Sequence, residues 1–164
     1  MNPEEPIHGD TRNREALKAA WRLLSLRPRT SSELERRLAT RFGSQAASWV
    51  IGHLRETGYL DDRSFASLWT RSRVEAHPRS ASLIRRELAQ KGVERELAEE
   101  ATSGLDDEET AYAAALQGAR HLKGEPFPVF RRKLWGYLMR RGFSHSLARR
   151  LVHRVWIERR HDQP

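Results

Sequence analysis

His77-Pro78-Arg79-Ser80-Ala81-Ser82-Leu83-Ile84-Arg85-Arg86-Glu87-Leu88-Ala89-Gln90-Lys91-Gly92-Val93 reads as one helix with its start and stop written in. Pro78 cannot sit in a helix interior, so it marks the entry. Ser80 is the expected N-cap, its hydroxyl accepting from a free first-turn N–H. Ile84 and Leu88 stand one turn apart and share a face. Lys91 suits the negative C-terminal end, and Gly92 supplies a left-handed stop.

The same pattern occurs three times at a fixed step of 50 residues. Pro28, Leu34, Leu38 and Arg41 match Pro78, Ile84, Leu88 and Lys91, and Pro128, Leu134, Leu138 and Arg141 match them again. Past the stop, Val93, Leu97, Ala98 and Ala101 match Phe143, Leu147, Ala148 and Leu151. The first copy inverts the turn as Phe42-Gly43 but keeps Ala47 and Ile51. Self-similarity at one period is the mark of a repeat architecture.

Working outward, each repeat resolves into three helices. Leu17, Ala20, Trp21 and Leu24 put a helix over about 14–25, before the Arg27-Pro28-Arg29 connector. Thr30-Ser31-Ser32-Glu33 is a capping-box match opening the second helix, and Trp49, Val50 and Leu54 are the expected core of the third. In the second repeat Phe65, Leu68, Trp69 and Ser72 are expected to face inward. Asp106-Asp107-Glu108-Glu109 caps the first helix of the third. No segment alternates long enough for a strand. The prediction is an all-α chain of three tandem three-helix, helix-turn-helix-like repeats over 14–60, 61–105 and 106–160. A disordered tail is expected over 1–13 and a frayed one over 161–164. Small stacked units imply an elongated, curved body. Gly58, Tyr59, Leu60, Asp61 and Asp62 form the expected inter-repeat hinge, with Gly58 ending one helix and Asp61 capping the next.

Composition narrows function. The 164 residues carry a formal charge of +8, with 32% charged residues, and favour an anionic partner. The signs are segregated. Arg120 to Arg160 holds twelve Lys and Arg against two Glu, and Glu94 to Thr110 holds eight acids against one Arg. Without cysteine there is no disulfide, thiolate nucleophile or cysteine zinc site. No apolar run approaches a membrane span, and Met1 to Asp10 is unlike a secretory leader, so a cytoplasmic protein is expected. His145, His153 and His161 are spaced eight apart, which is poor for a helical metal site. Asp61-Asp62 and Asp106-Asp107 precede helices and read as caps rather than as magnesium ligands of a nuclease. No metal, cofactor or catalytic residue is expected. On the last helix Arg149, Arg150, His153 and Arg154 fall opposite the apolar side, as one row able to meet phosphate or carboxylate. Arg86 points away from the Ile84–Leu88 direction, Arg85 flanks it, and Arg36 is its counterpart in the first repeat.

Gly58 to Ala66 and Ile84 to Val93 resemble signatures of the RecX family, regulators of the RecA recombinase. Arg140-Arg141-Gly142-Phe143-Ser144 is similar to that family's C-terminal motif, and Arg27-Pro28-Arg29 with Glu33-Leu34 to its opening one. His77-Pro78 departs from the usual Gly-Pro. The resemblance implies a non-enzymatic inhibitor that lies in the groove of the RecA–DNA filament, limits filament extension, ATP hydrolysis and strand exchange, and also binds single- and double-stranded DNA with weak sequence selectivity. It implies a place in DNA repair, homologous recombination and the SOS response, and a monomer is expected. The contact candidates are Arg36, Arg71, Arg73, Arg85, Arg86 and Lys91 in the first two repeats. In the third they are Arg131, Arg132, Lys133, Arg140, Arg141, Arg149, Arg150 and Arg154. The competing reading is a DNA-binding transcriptional regulator using its helix-turn-helix units.

Overall fold

The computed structural model describes residues 8–161. Among them are nine α-helices and no strand: α1 His8–Leu26, α2 Ser31–Phe42, α3 Ser44–Glu56, α4 Asp62–Ala76, α5 Ala81–Gln90, α6 Arg95–Thr102, α7 Asp107–Ala119, α8 Phe127–Arg140 and α9 His145–His161. They form three tandem triplets, as the 50-residue period implies. α1 begins at His8 rather than near Arg14, and α9 runs to His161. The remainder of the expected tails, 1–7 and 162–164, lies outside the described residues.

Cα proximity divides the chain into two compact units, Met1–Ser67 with Leu88–Ala98, and Leu68–Glu87 with Glu99–Pro164. In the first, Leu34 and Leu38 of α2 are buried against Ala16 and Ala20 of α1 and Val50, Ile51 and Leu54 of α3. Alanines on α1 and α3 let the backbones approach, and each buried Leu contributes roughly 1.5–3 kcal/mol. Thr30 caps α2, its Oγ1 accepting from Glu33 N–H at 3.1 Å. The Glu33 carboxylate does not close the capping box; it takes Arg27 at 3.0 Å and Lys91 at 3.4 Å. Gly58, at φ 76°, ends α3, and the amides of Tyr59 and Leu60 both return to Leu54 O, at 2.9 and 3.0 Å. Leu60 drops into the core.

In the second unit the Ala-rich α7 lies on α8, whose Phe130, Leu134 and Leu138 are fully buried with Leu151 and Val155 of α9. The approach is closest at Gly118, where an added Cβ would stand 2.9 Å from Leu134 Cδ1. Asp106 caps α7 through the amides of Glu108 and Glu109. Phe143, just past the Gly142 turn, enters the same core.

Three inward assignments differ from expectation. Trp49 is 44% exposed and stacks on His53, Leu68 is 56% exposed, and Ser72 faces solvent. Each of these helices buries one stripe, Ala46-Ala47-Val50-Ile51-Leu54 on α3 and Phe65-Ala66-Thr70 on α4, and Trp49, Leu68 and Ser72 lie off it. Trp21 is also partly exposed, packing edge-on against Tyr59 with centroids 4.6 Å apart. Tyr59, in the expected hinge, is therefore an exposed cover on α1.

One joint is built twice. In the first unit Ser31 N–H, at the start of α2, donates to Asp62 Oδ1 at 2.8 Å, and Thr30 Oγ1 donates to Lys91 O at 2.6 Å. In the second unit Ala81 N–H, at the start of α5, donates to Asp107 Oδ1 at 2.8 Å, and Ser80 N–H donates to Arg141 O at 3.0 Å. The second helix of one repeat thus has its orphan first-turn amides satisfied by the next repeat. Gly92 and Gly142, with φ 77° and 83°, sit where the docking helix presses, and a Cβ on either would overlap Ser32 or Ser80.

Candidate basic interaction surfaces

Packing sorts the candidate cations into committed and free. Lys91 is committed to Glu33, and its carbonyl belongs to the joint. Arg73 and Arg79 both bind the Glu87 carboxylate, Arg73 at 2.9 Å while lying over the Trp69 ring at 3.9 Å; Trp69 Nε1 donates to the same carboxylate at 3.0 Å. Burial pushes the Glu87 carboxyl up, but these hydrogen bonds outweigh it and hold it below the usual range. Arg85 reaches Thr102 Oγ1 at 3.0 Å. Arg141 lies over the Tyr137 ring at 3.5 Å; burial, with Arg79 and Arg140 beside it, lowers its pKa against the opposing influence of Tyr137. Lys133 pairs with Glu125.

The row expected on α9 divides. Arg150 pairs with Glu108 of α7 at 3.0 Å. Arg154 pairs with Glu158 at 2.8 Å and lies over Tyr112. Arg149 faces the other way, toward α8. It lines a groove of about 420 Å³ with Arg131, Arg132, Trp135 and His153. Periodicity places all three arginines opposite the core but cannot say that α7 and α8 flank that face on either side.

Arg36, Arg71, Arg86, Arg131, Arg132, Arg140 and Arg149 remain exposed, with no ion pair or side-chain hydrogen bond to a described residue. Of the candidate cations, these are the ones left for an external anion. Arg140 borders a second concavity of about 420 Å³ with His77, Arg79 and Arg141. The Gly58–Asp62 segment is well tied: Asp61 takes the amides of Arg63 and Ser64 and the Ser64 hydroxyl, and Asp62 takes Ser31 N–H and faces Arg55. Sequence reading missed Asp62 and Asp107 as joint acceptors; their common place at the first residue of α4 and α7 was the available signal.

Of the acids expected as caps, Asp61 and Asp106 cap α4 and α7, whereas Asp62 and Asp107 accept from Ser31 and Ala81 of the preceding repeats; no cluster of three or more potential metal ligands exists among the described residues. The helix-turn-helix reading finds no free base-reading end on α2, α5 or α6. A DNA-reading helix contacts bases with its N-terminal residues. The first turns of α2 and α5 are spent in the joints, and α6 carries Glu96, Glu99 and Glu100.

Family models for the first, second and third three-helix domains of RecX match residues 16–54, 61–101 and 106–152. The regulatory protein RecX of Streptomyces coelicolor is 32% identical over 164 residues, covering 98% of this chain and 84% of that protein. That of Chlorobium phaeobacteroides is 35% identical, covering 87% and 95%. The crystal structure of RecX from Lactobacillus salivarius superposes with a TM-score of 0.73 at 20% identity, over 90% of this chain and 98% of that one, and shows the same fold. With three domain models matched in order and relatives aligned along nearly its whole length, the chain belongs to the RecX family of regulatory proteins.

Proposed function

We propose that this chain is a non-enzymatic regulator of the RecA recombinase. The observation that carries the reading is the ordered match of all three RecX domain models to the three helix triplets. In the finer mechanism the chain, acting as a monomer, lies in the groove of the RecA–DNA filament. There it limits extension, and with it ATP hydrolysis and strand exchange. The exposed cations, Arg71 and Arg86 on the second repeat and Arg131, Arg132 and Arg149 on the third, meet acidic RecA surface and DNA phosphate. Charge complementarity of this kind steers association and is weakened by salt. The repeats 14–60, 61–105 and 106–160 act as separate contact modules, and the Gly58–Asp62 segment sets the angle between the first two.

The test is RecA's DNA-dependent ATPase rate as this protein is added, together with co-sedimentation on RecA filaments over a range of salt. Inhibition with co-sedimentation that salt weakens is expected. If RecA neither slows nor carries the protein down, the reading fails.

A further inference from the structure

The α8–α9 groove combines three features: free cations, an acid-free lining and an exposed indole. Its walls carry Arg131, Arg132 and Arg149, each exposed and without an intramolecular partner. No acid lines it, and Glu108, Glu125 and Glu158 of the same repeat are paired with Arg150, Lys133 and Arg154. Trp135 stands among the arginines, 38% exposed, with His145 tilted against it at 5.4 Å. Pro128 and Val152 supply the apolar part of the floor.

We infer that this groove is a single-strand nucleic-acid site, in which a base stacks on Trp135 and the flanking phosphates lie on Arg131, Arg132 and Arg149. Helical spacing brings Arg131, Arg132 and Trp135 onto one face of α8, while Arg149, Val152 and His153 share the facing side of α9. Alternating flat apolar groups and anionic links is the pattern of a single strand, and aromatic platforms between cations are how such strands are held without sequence readout. In a duplex the base faces are buried in the stack, so it would use the arginines and leave the indole idle. An acidic peptide would likewise satisfy the guanidinium groups but offer nothing flat to Trp135. The site deepens the reading of the chain as a protein acting on nucleoprotein filaments, and its test needs no RecA.

The full chain is titrated against fluorescein-labelled oligothymidine and against an abasic strand of equal length, by anisotropy, with a thermal melt of each variant. Trp135→Ala is expected to weaken oligothymidine binding about tenfold, the usual loss of one stacked base, while barely changing the abasic strand. Trp135→Phe should retain most of the affinity. Arg131→Ala with Arg132→Ala and Arg149→Ala should reduce the log–log salt slope by about 2, at about 0.7 per phosphate. Arg150→Ala with Arg154→Ala should leave it unchanged. Equal losses on both strands, or none, would overturn the stacking site. So would polyglutamate competing with a dependence on the three arginines that oligothymidine lacks, which would make the groove a dock for acidic protein. A wild type that inhibits RecA without using this groove for oligothymidine sinks the inference alone. One that binds oligothymidine here yet leaves RecA untouched sinks the proposed function alone.

Discussion

The amide of Ser80 donates to the carbonyl of Arg141 at 3.0 Å, joining the cap of α5 to the residue that ends α8. The contact requires a bare backbone at Gly142, where an added Cβ would lie 2.7 Å from Leu83 Cβ and where φ is 83°. Gly142→Ala therefore combines a left-handed penalty with overpacking and should cost about 2–4 kcal/mol. Gly136→Ala is the control. It lies inside α8, meets only the flexible end of Arg140 at 3.4 Å, and should stabilise by about 0.5–1 kcal/mol. Urea melts of both variants check the pair; similar melts would mean that the joint tolerates a side chain.

Leu88 is wholly buried on α5. Leu88→Asp forces a carboxylate into apolar surroundings without a partner, at several kcal/mol. Loss of helical circular dichroism, or a melt far below that of the native chain, is expected. A native melt would put Leu88 at the surface.

Glu87 makes the stability of its unit depend on pH. Its carboxyl is lowered because the hydrogen bonds from Arg73, Arg79 and Trp69 outweigh burial. A lowered carboxyl contributes stability that is present above the ordinary glutamate range and lost as pH falls through the folded value. Glu87→Gln should thus melt lower at neutral pH, by about 2 kcal/mol for charge-assisted bonds. The gap to wild type should close in acid. A gap constant with pH would mean that the carboxylate charge plays no part.

Arg71 and Arg86 are exposed and unpartnered, whereas Arg85 is tied to Thr102. Arg71→Glu with Arg86→Glu should leave the melt within about 0.5 kcal/mol, as surface changes usually do. The same variant should require more protein to inhibit RecA's ATPase, because like charges now face an acidic or phosphate surface. A folded variant as potent as wild type removes this face from the interface.

Much of the fold was legible because its signals are local. Pro28, Pro78 and Pro128, the Ser80 and Asp106 caps, and the Gly58, Gly92 and Gly142 stops act through their own backbone neighbours, and a fixed period repeats them. The pairs Leu34–Leu38, Ile84–Leu88 and Leu134–Leu138 are all buried, since turn spacing alone assigns them to one face. The positions of Trp49 and Leu68 were not legible, because the width of a buried stripe depends on how many neighbours a helix has.

The sequence by itself determined an all-α chain of three helix triplets, its family and its excess of positive charge, since helix propensity, capping and 3.6-residue periodicity are written residue by residue. Only the tertiary structure decided which cations are free. Arg149, Arg150 and Arg154 look alike on a helical projection, yet Glu108 and Glu158 claim two of them and the α8 groove leaves the third open. Charge is a property of the residue, whereas its availability depends on which opposite charge lies within about 4 Å, and chain folding alone sets that distance.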